Sequence, residues 1–187
     1  MLFRSGKQKI VEQLIDKYLD LAKFKFKIVY TEYAKHAIKI SHDSVNNFDI
    51  IVAVGGDGSV NEISKNIINT DTILAIIPTG SGNGLARHLK IPVNLKNAIL
   101  RINTLQVKRI DTGKINDYHF LGTAGTGFDA HIGWCFAKAS KRGFWSYMKI
   151  TVKEYFNYKD EIYNINVDGK EINTRALLIT FANSNQY

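Results

Sequence analysis

Twice in this chain a strand-length apolar run ends in a glycine-rich turn that opens into a segment with helical spacing. Asp49-Ile50-Ile51-Val52-Ala53-Val54 leads into Gly55-Gly56-Asp57-Gly58-Ser59, and Thr72-Ile73-Leu74-Ala75-Ile76-Ile77 leads into Pro78-Thr79-Gly80-Ser81-Gly82-Asn83-Gly84. Continuous apolar runs of this length suit strands covered on both faces, as in the parallel sheet of an α/β fold. Glycine lets the backbone approach an anion closely, and the free N–H groups and positive dipole end of the following helix face the charge. Two such turns predict an α/β fold whose parallel sheet binds a nucleotide.

The flanking pattern agrees. Ile10, Val11, Leu14, Ile15, Tyr18 and Leu19 follow the three-four spacing of a helix face, and Phe26 to Tyr30 is β-rich. A second helix runs through Ala34, Ala37 and Ile38, a third through Val60, Ile63 and Ile67, and Asn94 caps another that carries Ala98, Ile99 and Ile102. After Gln106 the character changes. Val107 to Asp111, Tyr118 to Thr123 and Ile162 to Val167 alternate as strands do, Asp168-Gly169 signals a hairpin, and a helix is expected from about Phe144 to Tyr158. The expected division is an α/β nucleotide-binding domain over 1–112 and an incomplete β-rich second domain over 113–187. The core-type run Ala176 to Phe181 lies close to Tyr187, and an unpaired strand edge there predicts self-association into a homo-oligomer.

A net charge of +8 favours anionic partners, among them nucleotide phosphates, nucleic acid and acidic membrane surfaces. Cys135 has no second cysteine to pair with, which fits a reducing compartment, and a buried structural thiol is the expected role. No apolar stretch reaches the roughly 20 residues that span a bilayer, and residues 1–7 lack the apolar core of a signal peptide. The cytoplasm is the expected location. His36, His42, His88, His119 and His131 show no metal-ligand spacing, so surface or packing roles are expected of them. Lys138 to Tyr147 mixes cations with aromatics as membrane-surface segments do, and aromatic packing between domains explains it equally.

Familiar phosphate fingerprints fail here. No lysine follows the glycines at P-loop spacing, Gly56-Asp57-Gly58-Ser59-Val60-Asn61 lacks the last glycine of the dinucleotide motif, and Gly80-Ser81-Gly82-Asn83-Gly84 has the wrong spacing. Asp57 within the turn repels a bare phosphate unless a cation lies between them, which points to Mg²⁺ held by the carboxylate and phosphate oxygens.

Gly55-Gly56-Asp57-Gly58-Ser59-Val60-Asn61-Glu62, followed after a strand by Pro78 to Arg87, closely resembles the catalytic domain of the diacylglycerol kinase and sphingosine kinase family, and its bacterial lipid kinases most. Gly-Gly-Asp-Gly alone is shared with NAD kinases and, more distantly, phosphofructokinases; the second turn narrows the resemblance to lipid kinases. Ser5-Gly6-Lys7, Thr31, Ile110-Asp111 and Ala124-Gly125-Thr126-Gly127-Phe128-Asp129-Ala130 match in the family's order. The resemblance implies transfer of the γ-phosphate of ATP to a lipid hydroxyl, diacylglycerol-like or sphingoid, by an enzyme peripheral to the inner face of the membrane and without a nucleic-acid partner. By position, Gly55, Gly56, Asp57, Gly58, Ser59, Val60 and Asn61 hold the ATP phosphates, Ser81, Gly82 and Thr31 complete the pocket, and Asp57 acts through Mg²⁺. Asn83 shapes the second turn or contacts phosphate. Glu62 reads equally as a carboxylate complementing a helix N-terminus, and Lys7 as a phosphate contact or an exposed lysine.

Three departures carry expectations of their own. The family opens on a strand ending in Asn-Pro-x-Ser-Gly, where this chain has Leu2-Phe3-Arg4-Ser5-Gly6, so the first strand is expected to be missing. Gly84 stands where many diacylglycerol kinases carry Asp, which looks more like the sphingosine-kinase branch. The family's catalytic base, an aspartate in Asp-Gly-Glu, has no counterpart, since Asp168-Gly169-Lys170 comes too early and lacks the acid. That base is expected beyond Tyr187, in a longer enzyme of which this is a piece, and two alternatives stay open beside the lipid kinase: an NAD-kinase-type enzyme with a soluble substrate, and a nucleotide-binding fragment without turnover. Gly56 and Gly58 are expected to exclude a Cβ, through close approach to phosphate and positive φ.

Overall fold

The computed structural model describes residues 2–3, 8–139 and 144–185. Two compact units divide the chain: Met1–Gly122 with Asn183–Tyr187, and Thr123–Ala182.

The first unit contains β1 (Leu2–Phe3), α1 (Gln8–Tyr18), β2 (Val29–Tyr30), α2 (His36–Ser44), β3 (Ile50–Gly55), α3 (Asp57–Ile67), β4 (Ile73–Pro78), α4 (Gly84–His88) and α5 (Leu95–Asn103). A hairpin of β5 (Gly113–Ile115) and β6 (Tyr118–Phe120) follows. Strands β1 to β4 form one parallel sheet in the order β2-β1-β3-β4.

Strand periodicity sorts the apolar run of β3 onto two faces. Ile51 and Ala53 join Ala37 of α2 and Val60, Ile63 and Ile67 of α3; Val52 and Val54 join Val11 and Ile15 of α1 and Ile99 of α5. Adjacent residues of β4 divide the same way, Ile76 to the first cluster and Ile77 to the second. The sheet is thus covered on both sides, which is why its central strands read as unbroken apolar runs. Asn94 caps α5 as expected, its side-chain oxygen accepting from the Asn97 N–H at 3.1 Å.

Three expectations are corrected in this unit. The first strand is present: Leu2 pairs with Val29 on one side and Ala53 on the other. Two residues suffice to extend a ladder between neighbours already in place, and a segment so short carries no periodicity to read. Val107 to Asp111, expected as a strand, forms no ladder, because only Ile110 packs against the core while Val107 stays exposed. The unit also continues to Gly122, past the expected boundary at 112/113. Asn183 returns to it, its amide donating to the carbonyls of Asp111 at 2.7 Å and Leu121 at 2.9 Å.

The second unit contains β7 (Thr123–Gly127), α6 (Phe128–Lys138), α7 (Phe144–Tyr155), β8 (Glu161–Val167), β9 (Lys170–Ala176) and β10 (Leu178–Ala182). Strand β7 pairs antiparallel with β10, and β8 with β9. Asp168 and Gly169 turn the β8–β9 hairpin with φ of 50° and 84°, the paired positive φ of a type I′ turn. Gly127 needs to be glycine. Its φ is 96°, and a Cβ there would lie 2.5 Å from the Leu177 carbonyl oxygen.

Replacing Ile63, fully buried beneath β3, by Ala is expected to cost about 2–5 kcal/mol. Asn94→Ala, which removes only a cap, should cost about 1 kcal/mol. Urea unfolding of both variants checks the ranking; equal losses would mean that Ile63 is not in the core.

Candidate nucleotide-phosphate site

Because β3 and β4 run parallel with Gly55 opposite Pro78, both strands deliver their glycine turns to the same carboxyl edge of the sheet. Open α/β sheets bind their ligands at this edge. Thr31 directly follows β2 and is half-buried at the same edge.

The two turns touch through their backbones. A Cβ on Gly80 would sit 2.6 Å from the Gly56 Cα, and one on Gly56 would sit 3.1 Å from the Gly80 Cα. The Thr79 N–H donates to the Gly55 carbonyl at 3.0 Å, prolonging the ladder by one bond. Asn83, buried and left-handed at φ 54°, locks the second turn by accepting from the Gly80 N–H at 3.0 Å and donating to the Gly80 carbonyl at 2.7 Å. Arg87 Nε donates to the Gly82 carbonyl at 3.0 Å. Of the two roles open to Asn83, shaping the turn is the one seen.

Helix α3 begins at Asp57, with Gly56 as its cap residue. Gly56 accepts from the Ser59 and Val60 N–H groups at 3.0 and 3.1 Å, while the N–H groups of Asp57 and Gly58, at the first turn, have no intrahelical acceptor. They are the donors that a helix start presents to an anion. Asp57 is exposed, and its Oδ1 accepts from the Leu85 N–H at 3.3 Å, so the aspartate of the first turn also caps the helix after the second.

Ser59 and Val60 are buried, Asn61, Ser81 and Gly82 exposed. A Cβ on Gly55 would fall 2.5 Å from Ser59 Oγ, which makes Ser59 a packing partner of the turn. The buried Thr79 hydroxyl has no hydrogen-bond partner among the described residues, a polar atom suited to a ligand oxygen. With the exposed Asp57 carboxylate and the first-turn N–H groups of α3, it makes a donor and acceptor set that fits a nucleotide phosphate with a hard cation. A groove of about 820 Å³ beside β4 is lined by none of the glycine-turn residues.

Some expectations change. Neither Gly56, at φ −96°, nor helical Gly58 has positive φ; the close approach of Gly80 constrains Gly56, and a Cβ on Gly58 meets no atom within 4 Å. Glu62 lies past the first turn of α3, so Asp57 is the carboxylate that complements the helix dipole. Lys7 lies outside the described residues. His131 contradicts the expectation of no ligand spacing: four residues before Cys135 on α6, it also meets Glu154 of α7. The i, i+4 pair was readable in the sequence, but its glutamate partner was not.

The fold and turns define an α/β domain with two glycine turns meeting at the carboxyl edge of its parallel sheet. The diacylglycerol kinase catalytic domain matches residues 3–115, and the chain belongs to that family. It is 39% identical over 98 residues to a diacylglycerol kinase of Bacillus subtilis, covering 50% of this chain and 31% of that protein. To a diacylglycerol kinase of Staphylococcus saprophyticus it is 33% identical over 128 residues, covering 66% and 42%. A crystal structure of a diacylglycerol kinase from Bacillus anthracis superposes with a TM-score of 0.72 at 25% identity, covering 92% of this chain and 61% of that one. The chain spans about half the length of the curated relatives it matches.

The turn contact separates two glycines experimentally. Gly80→Ala should lose about 1–3 kcal/mol, because the added methyl meets backbone that cannot move aside. Gly58→Ala, at an open helical position, should keep or gain up to about 1 kcal/mol. Thermal melts decide this; equal destabilisation would contradict the packing of the two turns.

Proposed function

We propose that this chain carries the nucleotide-binding half of an ATP-dependent lipid kinase, which transfers the γ-phosphate of ATP to the hydroxyl of a diacylglycerol-like or sphingoid lipid. The observation that carries the reading is the meeting of Gly56 and Gly80 at one sheet edge, with the Asp57 carboxylate beside them. Phosphoryl transfer needs positioning and charge neutralisation more than covalent chemistry. The first-turn N–H groups of α3 and the Thr79 hydroxyl orient the phosphates, while Ser81 and Thr31 border the site. Mg²⁺, when bound by Asp57, supplies the charge neutralisation that lets a carboxylate stand among phosphates.

The acceptor side of the proposal is a membrane surface. In the second unit, Trp134 and Tyr147 are exposed, as are Trp145 at 82% and Phe156 at 81%, together with Lys138, Lys149 and Lys153. Aromatic rings interleaved with lysines suit the boundary between anionic headgroups and acyl chains.

Three measurements test the proposal. Asp57→Ala should retain the circular dichroism of the parent and lose Mg²⁺-dependent ATP binding in a nucleotide titration; unchanged affinity would remove the metal role of Asp57. Sedimentation with vesicles should show binding to anionic phosphatidylglycerol and little to neutral phosphatidylcholine, with a blue-shifted tryptophan emission. Phosphorylation of NAD in the absence of lipid would replace the lipid acceptor with a soluble one.

A further inference from the structure

The second unit holds a cluster that the phosphate chemistry does not use. His131 and Cys135 stand one turn apart on the same face of α6, and Glu154 reaches them from the last turn of α7. His131 Nε2 lies 2.8 Å from Glu154 Oε2 and 3.6 Å from Cys135 Sγ. The ligand atoms of all three residues fall within 4.8 Å of one another.

One nitrogen faces both partners, and that detail decides between two chemistries. A thiol–imidazole–carboxylate relay needs the acid on one ring nitrogen and the thiol on the other, so that a proton can pass through the ring. Here the carboxylate and the thiol converge on the same Nε2. Convergence of three donors on one point is what an ion between them requires. Tetrahedral zinc, with Zn–N about 2.05 Å and Zn–S about 2.3 Å, sets nitrogen and sulfur about 3.6 Å apart. His131 and Cys135 are already 3.6 Å apart. Glu154 needs only a carboxylate rotation, taking its oxygen from 2.8 Å to about 3.4 Å from the nitrogen.

We infer that His131, Cys135 and Glu154 bind a divalent cation of the zinc class, joining α6 to α7 by a three-ligand site. A set of one imidazole, one thiolate and one carboxylate selects zinc-like ions over Mg²⁺ and Ca²⁺, which prefer oxygen alone. The side chains of His131 and Glu154 are 33% and 21% exposed and Cys135 is half-buried, so water reaches the fourth position. The His131 ring is held in place by Tyr158, at 5.3 Å between centroids, and by Trp134, stacked at 6.3 Å. Binding replaces the His131–Glu154 hydrogen bond and releases the thiol proton to solvent. This site does not rest on the lipid-kinase reading.

The test is a titration of the full 187-residue chain with Co²⁺ under reducing, anaerobic conditions. A one-to-one complex is expected, with a near-ultraviolet thiolate-to-cobalt charge-transfer band and the visible bands of a four-coordinate ion, both removed by Zn²⁺. Cys135→Ser should abolish the charge-transfer band, and Glu154→Gln should shift the visible bands. Since loss of an outer-shell partner already costs about 10–100-fold in affinity, loss of either ligand should weaken zinc binding by more than about tenfold. Asp57→Ala should leave the cobalt spectrum unchanged, which separates this site from any metal at the glycine turns. Circular dichroism identifies a variant that has not folded, and the other then supplies the answer. Absence of the band in the parent, its survival in Cys135→Ser, or unaltered spectrum and affinity in Glu154→Gln overturns the site.

Discussion

The in-register pairing of β3 with β4, which sets Gly55 opposite Pro78, is the constraint on which the rest of the first unit depends. Strand side chains alternate, so this one register sends Ile51, Ala53 and Ile76 to the helices α2 and α3, and Val52, Val54 and Ile77 to α1 and α5. A slip of one residue in either strand would send its apolar set to the wrong layer. The same register brings the ends of the two strands level, and only then do Gly56 and Gly80 meet. Core and site are two readings of one ladder.

The meeting of the turns carries an electrostatic problem with it. Two helix starts directed toward one place gather N–H donors and positive dipole ends, and Asp57 is the acid placed among them. Its Oδ1 accepts from the start of α4 while its own residue opens α3, so the carboxylate complements both helices. A helix-capping aspartate needs no ligand to justify it. Its exposure, together with the buried Thr79 hydroxyl of the second turn, which has no partner among the described residues, is what extends its role to an ion and a phosphate. Arg87 and Asn83 serve a different end: both bond to backbone of the second turn and fix its shape before any ligand arrives.

Much of this was legible in the sequence because the physics is local. Apolar runs ending in glycine turns, the Asn94 cap and the Asp168-Gly169 hairpin each state their structure within a few residues. What escaped depends on pairs distant in the chain. Leu2-Phe3 becomes a strand only because Val29 and Ala53 flank it, and Val107 to Asp111 alternates without finding a ladder. The reason Gly56 must be small is Gly80, which no reading of the first turn alone supplies; the expectation of positive φ replaced a contact that was not visible. His131 and Cys135 were readable as one helical face, but Glu154 joins them through the packing of α6 on α7.

That packing has little apolar support. Among the described residues of the second unit, Phe128 and Ile132 are the buried hydrophobics, while Trp134, Trp145, Tyr155 and Phe156 are exposed. Edge-on rings supply part of what is missing, Phe128 against Tyr155 and Tyr158, and Phe136 against Tyr147. Such pairs contribute about 0.5–1.5 kcal/mol each beyond their buried area, and several arrangements of two amphipathic helices can satisfy them. A directional contact can specify one arrangement where a small apolar core cannot. The His131–Glu154 hydrogen bond is such a contact, tying one turn of α6 to one turn of α7.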